Sequence, residues 1–135
     1  MKNPKFWLAV LVGGIVANIL DFVIMGGLFR ETFLAIESIR PEGEIGITWF
    51  VIGDFVAALV FMVVYDRVYS SFSPGAKGGA TFGAYAGLLV SFPMWIFVHM
   101  MFKGFPYGLA WELALIGIVW GALVGAVMGS IYRKS

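Results

Sequence analysis

Residues 47–65, ITWFVIGDFVAALVFMVVY, decide the fold. The run is long enough, at about 1.5 Å per residue, to cross the roughly 30 Å hydrocarbon core of a bilayer as one helix. Its only charged side chain is Asp54, near its middle. Residues 7–29, WLAVLVGGIVANILDFVIMGGLF, repeat the pattern with Asp21. An ionised carboxylate in hydrocarbon costs several kcal/mol unless it is paired, protonated or reached by water, so the two acids mark a site by default.

Working outward, four segments are apolar enough to span, at about 6–29, 46–67, 79–102 and 108–131. The chain has 135 residues, of which 61% are hydrophobic and 13% charged. A soluble domain of that composition would expose far too much apolar surface. The expected fold is therefore all-α: one polytopic membrane domain over 1–135, a four-transmembrane-helix bundle. The first run follows Lys2 and Lys5 but is too long for a signal peptide's apolar core and lacks a small-residue cleavage site, so it reads as a retained helix. Lys2, Lys5, Arg67, Lys77, Arg133 and Lys134 fall on one side of these spans, and Arg30, Arg40 and Lys103 on the other. The positive-inside rule then puts both termini in the cytoplasm.

The chain has no cysteine, which removes disulfides, thiolate metal sites and thiol catalysis. A net charge of +1 with no basic cluster argues against a nucleic-acid partner. Serines 70, 71, 73 and 91 have no histidine near them in sequence, so an enzyme is not expected, and no cofactor is.

Glycines 79, 83 and 87, and glycines 117, 121, 125 and 129, recur every fourth residue on the third and fourth spans. Small residues at this spacing let helices approach closely and gain van der Waals contact. The expected packing is of these two helices on each other, with a homodimer through the longer ladder as the competing reading. Pro93 is expected to loosen the third span by removing one hydrogen bond. In the loop 66–79, DRVYSSFSPGAKGG, Ser73-Pro74-Gly75 predicts a tight turn, and the absence of Gly-Lys-Ser/Thr removes a phosphate loop. The loop Arg30–Gly46 predicts a short interfacial helix ended by Pro41, and Glu31, Glu37, Glu42 and Glu44 make that face acidic.

Gly14, Asn18, Asp21 and Met25 form one helical stripe, and Asp54, Ala58, Phe61 and Tyr65 another. Counting along each span puts both acids roughly 3 to 6 Å from the midplane, on the same side, so they could meet. They then share a proton, hold a cation, or each find a donor such as Asn18 or Tyr65. His99 and Glu112 lie further out, at facing ends of the last two spans. Asp21, Asp54, Glu112 and His99 offer ligand types for a metal but no diagnostic spacing, and His99 alone could serve as an axial ligand to a haem or chlorin. The five tryptophans, Trp7, Trp49, Trp95, Trp111 and Trp120, invite a cofactor-box reading, but three lie near predicted interfaces, where amphipathic rings settle, and anchoring is the expected use.

Residues 13–27, GGIVANILDFVIMGG, residues 50–80 and the glycine-spaced last helix resemble a family of small bacterial four-helix integral membrane proteins of uncharacterised function. Asn18 with Asp21, Gly53 with Asp54, and Pro74-Gly75-x-Lys77 carry the likeness. The resemblance implies a recurring four-helix module in a bacterial cytoplasmic membrane and supplies no activity. Two functions remain open. One is association, with itself or as an accessory subunit of a membrane complex. The other is a small proton- or cation-handling channel or transporter using the two acids.

Overall fold

The computed structural model describes residues 3–36 and 46–134, and among these it contains helices and no strand. Helix α1 spans Pro4–Val23 and continues as one π-helical segment, Ile24–Leu28. The short α2 covers Arg30–Leu34, α3 covers Ile47–Val68, α4 covers Ala76–Met101 and α5 covers Tyr107–Ile131. Four helices are long and apolar enough to cross a membrane: α1 with its π segment, and α3, α4 and α5. The expected acids Glu37, Glu42 and Glu44 lie outside the described residues, as does Pro41; Glu31 is exposed on α2.

Local chemistry sets the boundaries. Asn3 caps α1 by accepting the Lys5 backbone N–H at 2.9 Å, and Pro4 takes the first helical position, where its missing N–H is not needed. Helix α4 begins at Ala76, three residues before the sequence expectation, because Gly75 turns the chain with φ 89°. It continues through Pro93 to Met101, so the expected loosening does not end or divide the helix.

The helices α4 and α5 make the most extensive contact in the molecule, antiparallel, with α1 packed against α3 and α5. Along the α4–α5 seam a Cβ on Gly79 would fall on the Gly125 carbonyl oxygen, one on Gly83 on that of Gly121, and one on Gly87 on that of Gly117. A Cβ on Gly129 would approach Gly75 and the Gly79 backbone. Both glycine ladders are therefore occupied within one chain, and the α5 ladder is not free to form a homodimer. Gly13 and Gly14 make room on α1 for Met128 of α5 and the Phe55 ring of α3.

Two apolar clusters follow. One joins Phe6, Met62, Tyr65, Phe82, Met128 and Tyr132 in the half nearer Asp66. The other joins Ile36, Phe105, Leu109, Ala110 and Leu113 near His99, and Phe33 of α2 packs on Phe105 and Trp95 there. Burying several such side chains stabilises each cluster by about 1.5–3 kcal/mol per large residue in water, and by packing contacts alone where lipid is the alternative. The first turns of α3 join neither cluster: every residue from Gly46 to Gly53 is exposed.

Candidate functional site

The stripe Gly14, Asn18, Asp21, Met25 on α1 faces α3. Gly14 meets Phe55, and the Asp21 carboxyl lies beside the Asp54 carboxyl. Two ionised carboxylates offer only acceptors, so a hydrogen bond between them would form only with a proton on one of the two. Both residues are half-buried, neither sealed in the core nor fully on the surface.

Trp120 of α5 completes this site, and the sequence reading as an interface anchor is corrected here. The indole lies close to the Asp21 carboxyl, and its buried N–H has no hydrogen-bond partner. The ring packs edge-on to Phe61, two steps along the stripe of α3 that carries Asp54. Its signal in the sequence was position: an aromatic with a polar tip in the middle of a span, where the aromatic belt has no place. Trp7, Trp49 and Trp111 remain exposed, and Trp95 stacks on Phe105.

The other expected partners of the acids go elsewhere. Asn18 donates its amide to the Gly14 carbonyl at 2.9 Å, on its own helix. Tyr65 stands eleven residues along α3 from Asp54, roughly 16 Å away by helical rise. It is 1% exposed, lies among Tyr69, Phe82 and Tyr132, and its hydroxyl has no hydrogen-bond partner.

His99 and Glu112 do not join the pair. The His99 Nδ1 stands 2.6 Å from the Phe105 carbonyl oxygen, which makes it the protonated nitrogen and pins the α4–α5 turn. The ring lies 5.1 Å from that of Tyr107. Glu112 is exposed on α5. Among the described residues no group of three metal-ligating side chains gathers, so the four-ligand arrangement that residue types allowed is not assembled.

A second polar cluster was not foreseen. At the opposite end of α3, the nearly buried Asp66 accepts a short hydrogen bond from the Tyr132 hydroxyl. Lys134 donates to the Asp66 backbone carbonyl at 2.9 Å and holds its ammonium 3.8 Å from the carboxylate. Asn3 donates to the Arg133 carbonyl at 3.0 Å. Residues 132–134 therefore clasp the start of α1 and the end of α3. Burial, and then the contact with the Asp66 carboxylate, push the Tyr132 hydroxyl above its usual pKa. The sequence showed Asp66 only as a loop residue, since its partners lie 66 and 68 positions away.

Comparison with protein-family models, with curated proteins and with solved structures gives no match.

Proposed function

We propose that this is a small multi-pass protein of a bacterial cytoplasmic membrane, with the Asp66 end in the cytoplasm, that takes up and passes on a proton at the Asp21–Asp54 pair. One observation carries this: two acids on different membrane-spanning helices are in contact, with an unsatisfied Trp120 N–H beside them. A shared proton leaves the pair with one negative charge, which the indole dipole and any entering water favour. The half-exposure of both acids leaves them open to exchange. A small cation between two carboxylates is the same chemistry with a different occupant, and among the described residues no third His, Asp or Glu side chain joins the pair to favour it.

A second observation supports association. The Gly46–Gly53 stretch of α3 is exposed on all sides, and it runs directly into Asp54. A half-exposed carboxyl at this depth is best covered by water or by protein rather than by lipid chains. Assembly with a second copy or another membrane subunit, as an accessory component, would supply that cover. The glycine ladders do not contribute to it, being used inside the chain.

The test is reconstitution into liposomes loaded with a pH-sensitive dye. Proton flux should appear with the native protein and fall at least tenfold with Asp54→Asn and with Asp21→Asn. Equal dye responses from native protein, both variants and empty vesicles would remove the proposal.

A further inference from the structure

An open groove of about 440 Å³ runs along the outside of α4 and α5, lined by Ala80, Thr81, Ala84, Tyr85, Leu88 and Ile118. It is far from polar enough for an ion path. Small side chains at 80 and 84 make its floor, and Tyr85, Leu88 and Ile118 make its walls. The one hydroxyl on the floor, that of Thr81, is spent on the Lys77 carbonyl at 2.9 Å.

Two cations lie by the start of α4, one turn before the first lining residues, Ala80 and Thr81. Lys77 lies one turn before Thr81 on the same face of α4, and helical side chains lean toward the start of their helix, which carries its ammonium outward. The Arg133 guanidinium lies beside Gly75, so close that a Cβ there would sit 3.3 Å from Nη2. Neither side chain makes an ion pair among the described residues.

The dimensions match one leaflet. Helix α4 runs Ala76–Met101, so Leu88 is at its middle and Lys77 at its edge. From Lys77 to Leu88 is roughly 16 Å at 1.5 Å per residue, close to half of the roughly 30 Å hydrocarbon thickness. A groove that is apolar from the midplane to the interface and cationic at the interface is complementary to one molecule type in the bilayer. A second copy of this chain would bring its own Lys77 and Arg133 against these, which like-charge repulsion disfavours.

The geometry points to a binding site for an anionic phospholipid, with an acyl chain along Ala80, Ala84 and Leu88 and the headgroup phosphate at Lys77 and Arg133. Such basic pockets beside membrane helices recognise lipid headgroups by charge. The groove lining includes none of Asp21, Asp54 and Trp120, so the site is separate from the acid pair.

Native mass spectrometry of the protein released from nanodiscs of equal phosphatidylcholine and phosphatidylglycerol tests it. The native protein should retain phosphatidylglycerol at least fivefold over phosphatidylcholine. Lys77→Glu with Arg133→Glu should abolish that preference while leaving phosphatidylcholine retention unchanged. Ala84→Phe, which fills the groove without altering charge, should reduce retention of both. Equal retention of the two lipids by the native protein would overturn the inference, as would a preference that survives the double charge reversal. A dimer that Ala84→Phe dissociates would also overturn it, by giving the groove a different occupant.

Discussion

Replacing Gly83 with alanine sets two effects of known size against each other. Alanine is favoured over glycine in a helix interior by about 0.8–1 kcal/mol. The new Cβ, however, would fall on the Gly121 carbonyl oxygen, with the carbonyl carbon 2.5 Å and the Ala122 nitrogen 3.2 Å away. Carbon atoms pack at about 3.5–4.0 Å, so the two backbones must part by on the order of 1 Å. Neither clashing atom is the end of a flexible side chain. Overpacking of this kind costs about 1–3 kcal/mol, and the separation also loosens the Gly79–Gly125 and Gly87–Gly117 contacts on either side. The expected net effect is destabilisation by about 1–2 kcal/mol, a drop of several degrees in melting temperature in detergent for a chain of this length. Gly53→Ala is the matched control: nothing lies within 4 Å of its Cβ, so the helix gain should appear alone. Thermal unfolding of both variants, followed by the loss of the native elution peak on size exclusion, reads the difference. A Gly83→Ala protein as stable as Gly53→Ala would refute the close α4–α5 seam.

Tyr132→Phe should destabilise the fold by about 2 kcal/mol, because it leaves the nearly buried Asp66 carboxylate without its hydroxyl donor; denaturant titration in micelles measures it. The same contact carries a pH dependence. With its folded pKa raised, Tyr132 adds stability that is fully present below the unfolded value of roughly 10 and is lost as pH rises from there toward the higher folded pKa. Melting temperature should therefore fall above about pH 10 more steeply in the native protein than in Tyr132→Phe. His99→Ala should cost about 1 kcal/mol by freeing the Phe105 carbonyl, and hydrogen exchange should rise in residues 102–106 while the Asp66 end is unchanged. Trp120→Phe removes a buried, unpaired N–H at little loss of volume and should leave stability within about 1 kcal/mol of native, while altering any flux that passes Asp21.

The sequence disclosed whatever follows from one helix at a time. Four apolar runs of spanning length are visible because lipid demands them, and the structure's four long helices follow them within a few residues. The exception, the early start of α4, came from Gly75, whose positive φ made it the turn rather than part of the preceding loop. The stripes holding Asp21 and Asp54 were legible from the helical period, and matching depth was legible by counting. Tyr65 shows the limit of that method. It shares a stripe with Asp54, but sharing a face says nothing of sharing a level. The Asp66–Tyr132–Lys134 clasp was invisible, because its partners meet only when α3 and α5 run parallel and bring their C-terminal ends together. Trp120 was misjudged for the opposite reason: its residue type has a common use at interfaces, and its mid-span position contradicted that use. His99 was noticed because it is the only histidine, and rarity proved a poor guide, since its ring serves a turn.

The shared proton between Asp21 and Asp54 is open to direct measurement by infrared difference spectroscopy in lipid. Native protein at neutral pH should show the carbonyl band of a protonated carboxyl, shifted by hydrogen bonding and sensitive to deuterium exchange, and Asp54→Asn and Asp21→Asn should each remove or displace it. A native spectrum with only ionised carboxylates, unchanged in both variants, would contradict the pair as a proton site.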